Sequence, residues 1–222
     1  MSASSRPDQS GVGPRWLGGT ASAGVVIYVL IDVFLAFLRP DLSLLHRAES
    51  DYGVGPYAWL MDINFLLRGA LSLALAAALL RLGARARRLR LGVGFLAAWG
   101  VGSALLAFFP DDPPGTPATT AGAVHLDLAL VAFLCAVVAT IALSVGLRHF
   151  PEWRQLAGFL VALAVVAIIP LALLGHTHFR PQSLDGLYER LFLGLELLWI
   201  LVVGIACQRA AINDSKQATE SP

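Results

Sequence analysis

The chain has 222 residues, of which 57% are hydrophobic and only 14% are charged, and its formal net charge is +1. Soluble domains carry roughly 25% charged residues, so this composition argues against a soluble domain. The small net charge also gives no basic surface for nucleic acid, and membrane lipids are the expected partners. Six apolar stretches approach the ~20-residue length of a bilayer-spanning helix. They cover residues 19–38, 57–80, 91–109, 121–147, 156–175 and 186–206.

The six stretches are rich in Leu, Ala, Val and Gly and do not alternate apolar with polar residues. A membrane barrel would need short alternating strands, and a soluble helical protein would need amphipathic helices. The sequence therefore predicts an all-α integral membrane bundle of six transmembrane helices over residues 19–207. Residues 1–18, which are rich in Ser, Gly and Pro, and residues 208–222 are predicted to be tails, the first of them disordered.

The link "RLGARARRLR" between the second and third stretches holds five arginines. With six spans, this link lies on the same side as both termini. That side carries eleven Lys and Arg residues and the opposite side carries three. Because positive charge is retained in the cytoplasm, both termini are predicted to be cytoplasmic in a multi-pass protein of the plasma (cytoplasmic) membrane.

Ionisable residues are concentrated in the outer halves of the predicted spans. At ~1.5 Å per residue, five lie one to two turns from the outer ends and three lie nearer the midplane. Ionisable side chains in hydrocarbon are costly and usually face a bundle interior or a wet cavity. The sequence therefore predicts a polar cavity open to the outside. The eight residues are Asp62, His125, Asp127, Glu189 and Arg190, and then Asp32, Arg68 and Glu196.

Depth and helical spacing predict particular contacts. Arg68 and Glu196 share a depth, so we expect a hydrogen bond between them, directly or through water, where the second and sixth helices touch, with Asp32 as the second choice of acid. His125 should point into the bundle near Asp112 or the Glu189–Arg190 pair. His125 and Asp127 are about 200° apart on a helix. The fourth helix is therefore expected to be central, with polar neighbours on two sides.

The segments "SDYGVGPYAWLM", "FFPDDPP" with "TAGAVH", and "GLYERL" occur in this order on the predicted outer side. With them the chain resembles domain of unknown function 998, a prokaryotic membrane family, over roughly residues 25–206. The resemblance implies a compact bundle of about six spans and supplies no activity. It also implies a set of recurrent positions at the outer helix ends. These are Ser50, Tyr52, Gly55, Trp59, Phe109, Pro110, Asp112, Gly122, His125, Glu189 and Arg190.

Three functions fit these features. The first is binding or sensing of a lipid or small ligand in the outer cavity, with no enzymatic step. The candidate pocket residues are then Asp32, Ser50, Tyr52, Asp62, Arg68, Asp112, His125, Asp127, Glu189, Arg190 and Glu196.

The second function is a membrane-embedded hydrolase with zinc held by His125, His176, His178 and an Asp such as Asp112 or Asp62. Imidazole and carboxylate ligands with one open position suit a catalytic zinc. The third is an ion-coupled carrier that uses the three deep ionisable residues. The apolar inner halves of the spans disfavour a carrier, since they offer no path to the cytoplasm.

Overall fold

In the computed structural model of the chain, residues 12–82, 87–113, 115–177, 180 and 182–220 are described. These residues form long α-helices, and the described part contains no β-strand. The helices are α1 (Val12–Leu38), α2 (Ala58–Arg81), α3 (Arg87–Leu105), α4 (Thr120–Leu147), α5 (Arg154–Thr177) and α6 (Asp185–Glu220). Short 3₁₀ turns cover Glu49–Gly53, Leu106–Phe108 and Pro151–Trp153.

All six α-helices are long and apolar enough to cross a membrane. Their outer faces support this, because they expose large apolar side chains such as Phe34, Phe37 and Val131. Trp99 and Trp199 lie in the apolar core, where each is fully buried. The predicted all-α bundle of six membrane helices is thus confirmed.

The helices form a ring in chain order. Each helix packs on the one before it and the one after it, and α1 closes the ring against α6. The connections α1–α2, α3–α4 and α5–α6 therefore meet at one end, which we call the loop end. The start of α1 and the end of α6 lie at the other end, which we call the terminal end. Helix α4 is one member of this ring, between α3 and α5, so the expectation of a central fourth helix is wrong.

Helices α1 and α6 are longer than the sequence predicted. Residues 12–18, which were expected to be part of a disordered tail, are the first two turns of α1. This part of α1 lies close to α6, since a Cβ atom on Gly18 would lie 2.7 Å from the carbonyl oxygen of Gly204. Residues 208–220, which were also expected to be a tail, continue α6 because they contain neither Gly nor Pro to end it.

Candidate functional site

The α1–α2 connection is fastened onto the loop end by the first two turns of α6. The Arg190 Nη1 atom donates hydrogen bonds to the carbonyl oxygens of Leu44 (3.1 Å), Arg47 (2.8 Å) and Gly186 (3.2 Å). Nearby, the Leu187 N–H donates to the Leu45 carbonyl at 3.1 Å. The connection is thereby held over the bundle, and Glu49, Ser50, Asp51 and Tyr52 of its 3₁₀ turn are buried.

The α3–α4 connection is organised by Asp112. Its carboxylate accepts hydrogen bonds from the backbone N–H (2.8 Å) and the hydroxyl (2.7 Å) of Thr119. These bonds, the backbone one first, hold the pKa of Asp112 below its usual value. The Thr119 hydroxyl oxygen in turn accepts from the Gly122 N–H at 3.1 Å and caps α4. A Cβ atom on Gly122 would lie 2.1 Å from the Asp112 carboxylate, so only glycine fits there without a shift.

A cavity of about 670 Å³ lies between these connections and the ends of α4, α5 and α6. Four of the predicted pocket residues line it: Ser50, Asp112, His125 and Glu189. The lining becomes more apolar along α4, because Ala129 and Phe133 follow His125 by one and two turns. The polar lining residues are His46, Arg47, Ser50, Asp51, Asp111, Asp112, His125, Arg180, Gln182, Asp185 and Glu189, and the apolar ones include Leu126, Ala129, Phe133 and Leu174.

His125 points into the bundle, as its sequence position predicted, and it is buried. Its Nδ1 atom lies 2.7 Å from the carbonyl oxygen of Phe109, and its ring packs edge-on against Phe65 with centroids 5.9 Å apart. Asp112 and Glu189 line the same cavity, but the direct partner of the imidazole is the backbone of the α3–α4 connection. The histidine therefore couples this connection to the wall of the cavity.

One ion pair lies within the lining of the cavity, as far as the described residues show. The Arg47 Nε and Asp51 Oδ2 atoms are 2.8 Å apart. Burial raises the pKa of Asp51, Asp111 raises it further, and Arg47 opposes both effects. Ser50 donates a hydrogen bond to Asp111 at 3.3 Å, so the α1–α2 and α3–α4 connections also contact each other through side chains.

A buried polar network runs from the middle of the bundle to this wall. The Arg68 guanidinium donates to the Ser103 hydroxyl (3.1 Å) and to the Tyr28 hydroxyl oxygen (3.2 Å), and the Tyr28 hydroxyl donates to Glu49. The Glu49 N–H then donates to Glu189 at 2.7 Å. Arg68 is thus connected to Glu49 through a tyrosine, and the prediction of a direct Arg68–Glu196 hydrogen bond is wrong.

Glu196 faces α4 instead, where the Thr140 hydroxyl donates to it at 3.5 Å. Helices α2 and α6 do contact each other, as predicted, but these two side chains point to different neighbours.

The other predicted pocket residues surround the cavity or lie apart from it. Tyr52 is fully buried with the Arg190 guanidinium carbon 5.4 Å from its ring centroid. Asp32 and Asp62 are partly buried and Asp127 is exposed, and none of the three lines the cavity. Asp127 faces outward because it lies on the opposite side of α4 from His125.

The four residues predicted to hold zinc are not brought together in the described part of the chain. His125 is buried, His176 is exposed near the end of α5, and His178 lies outside the described residues. Asp112 is bonded to Thr119. Among the described residues, no three or more His, Cys, Asp or Glu side chains are grouped so that they could hold a metal ion.

Comparisons with known proteins return one family. The family model described as "Protein of unknown function (DUF998)" matches residues 22–206, which confirms the resemblance seen in the sequence segments. No curated protein and no solved structure matches the chain. The geometry of the loop end therefore carries the functional argument.

Proposed function

We propose that this chain, which belongs to the DUF998 family of multi-pass membrane proteins of unknown function, binds or senses an amphiphilic lipid or small ligand in its loop-end cavity. The observation that supports the proposal is the gradient in the lining, from carboxylates and histidines near the connections to Ala129 and Phe133 further along α4. Its volume of about 670 Å³ lies within the ~300–1,000 Å³ of small-molecule sites. Such a site suits a molecule with a polar head and an apolar tail.

We place the loop end on the outer side of the cytoplasmic membrane. The support is the distribution of Lys and Arg, which are concentrated in the segments at the terminal end. In this orientation the cavity faces the outer leaflet and the space beyond it. No contact among the described residues favours the zinc hydrolase or the ion-coupled carrier, and both stay predictions.

The orientation can be tested with single cysteines in a background that lacks Cys135 and Cys207. Ala118 lies in the α3–α4 connection and Gln155 lies near the start of α5 at the terminal end, and both are exposed. We expect Ala118→Cys to react with a membrane-impermeant maleimide in intact cells, and Gln155→Cys to react only after permeabilisation. The opposite labelling pattern would place the loop end in the cytoplasm and contradict an outward-facing cavity.

Filling the cavity should remove a bound lipid. Ala129 lines the cavity, whereas its neighbour Leu130 is 55% exposed on the outside of α4, so Ala129→Phe and Leu130→Phe form a matched pair. The variants would be mixed in detergent with a total membrane lipid extract and analysed by native mass spectrometry. We expect lipid adducts on the wild type and on Leu130→Phe, and a loss of most adducts on Ala129→Phe.

Thermal unfolding in detergent separates this effect from misfolding. If Ala129→Phe melts near the wild-type temperature and still carries the full complement of lipid, the cavity is not the binding site and the proposed function is wrong.

A further inference from the structure

Two buried polar atoms of cavity-lining residues have neither a hydrogen-bond partner nor an ion-pair partner among the described residues. They are the Nε2 atom of His125 and the Oδ1 atom of Asp185. Both residues line the cavity, and their side chains are well buried, with 2% and 5% of the residue exposed. Buried polar groups are almost always hydrogen-bonded in folded proteins, so these two atoms indicate what a ligand in the cavity should supply.

Both atoms are hydrogen-bond acceptors. The His125 Nδ1 atom lies 2.7 Å from a carbonyl oxygen, which can only accept, so Nδ1 carries the proton. In the neutral imidazole, Nε2 then carries the lone pair. Asp185 is the first residue of α6. Its other oxygen accepts from the Ser183 hydroxyl, which leaves Oδ1 to accept from a ligand.

The charges on the cavity wall favour a cation. Arg47 is already paired with Asp51, and the lining offers one further arginine, Arg180. Asp111, Asp112 and Asp185 of the lining have no ion pair within 4 Å among the described side chains.

From these features we infer that the ligand head carries a primary ammonium group, which His125 Nε2 and Asp185 Oδ1 recognise as a hydrogen-bond donor. The inference rests on the proposed function and adds the chemistry of the head group. A primary ammonium provides three N–H donors and a positive charge. A trimethylated ammonium keeps the charge but has no N–H, so it leaves both acceptors without a donor.

The test compares two lipids that differ only in this group. Dioctanoyl phosphatidylethanolamine and dioctanoyl phosphatidylcholine would be titrated against the purified full-length protein in detergent, with bound lipid measured by native mass spectrometry. We expect the first lipid to bind about tenfold more tightly, since hydrogen bonds to charged groups are worth at least this much. Glycerophosphoethanolamine, which has the same head group without acyl chains, shows whether the ligand is a lipid or a soluble amine.

Variants assign the preference to the two acceptors. His125→Phe and Asp185→Asn should each bring the affinity ratio of the two lipids close to one while phosphatidylcholine still binds. Asp127→Asn is the matched control on α4, because this carboxylate is exposed and lies outside the cavity; its ratio should equal that of the wild type. Retained binding of phosphatidylcholine shows that each variant is folded.

Each outcome separates the inference from the proposed function. Equal binding of the two lipids by the wild type overturns the ammonium inference and leaves the amphiphile site intact. Binding of neither lipid, or binding of glycerophosphoethanolamine as tight as that of its lipid, overturns the amphiphile site. A wild-type preference that survives in both His125→Phe and Asp185→Asn overturns the assignment to these acceptors.

Discussion

Arg68→Leu is expected to lower the free energy of unfolding by about 3–5 kcal/mol, the usual cost of removing one partner from a buried charged network. Arg68 is 1% exposed and holds Ser103 and Tyr28 by hydrogen bonds. Its side chain also lies against two aromatic rings, with the guanidinium carbon 5.8 Å from the centroid of Tyr28 and 5.4 Å from that of Phe65. Glu49 is 2% exposed, and the Tyr28 hydroxyl connects it to Arg68. Without Arg68, this buried carboxylate has lost its cation.

A second substitution identifies the acid that depends on Arg68. Glu49→Gln added to Arg68→Leu should recover part of the lost stability, because the charge left without a cation is then removed. Glu196→Gln added to Arg68→Leu should give no such recovery, since Glu196 contacts Thr140 on α4 and distant substitutions are additive. Thermal unfolding of the single and double variants in one detergent measures both effects. Recovery of stability with Glu196→Gln and not with Glu49→Gln would contradict this assignment and support the Arg68–Glu196 pair that helix depth predicted.

The helices could be predicted from the sequence because the length and composition of a membrane span are local properties. The order of helices around the ring could not, and this explains the wrong partner for Arg68. Equal depth places Arg68 and Glu196 in the same layer but says nothing about the direction in which each side chain points. In the structure Arg68 reaches Tyr28 on α1 and Ser103 on α3, whereas Glu196 faces α4.

The acid that sequence reasoning missed lies outside the helices. Glu49 belongs to the α1–α2 connection, and counting depth along predicted spans assigns no burial to such a residue. Its neighbours Ser50 and Tyr52 were predicted as pocket residues through the family resemblance, and that proximity was the available signal. The inward direction of His125 was predicted correctly because a polar ring inside a span is costly in hydrocarbon and therefore faces the bundle. Its partner, the Phe109 carbonyl, is a backbone group whose direction depends on the conformation of the α3–α4 connection.

Gly186→Ala should detach the α1–α2 connection from α6. A Cβ atom on Gly186 would lie 2.2 Å from the Arg47 carbonyl oxygen and 2.5 Å from that of Leu44, and both are backbone atoms that cannot turn away. The same two carbonyls accept from Arg190, so the shift that relieves the clash breaks these bonds. Overpacking costs about 1–3 kcal/mol, and each lost hydrogen bond adds about 1 kcal/mol, so we expect a total loss of about 3 kcal/mol or more.

Gly194→Ala is the matched control for this substitution, because it lies two turns further along α6 and no heavy atom lies within 4 Å of its added Cβ. Alanine is favoured over glycine within a helix by up to about 1 kcal/mol, so the control should be as stable as the wild type or more so. Thermal unfolding in detergent compares the two variants, and limited proteolysis reports whether residues 40–57 have become accessible. Since Arg47, Ser50 and Asp51 of this connection form one wall of the cavity, Gly186→Ala should also lose bound lipid while Gly194→Ala keeps it. Equal melting temperatures and equal protection of the connection in both variants would show that α6 does not hold it in place.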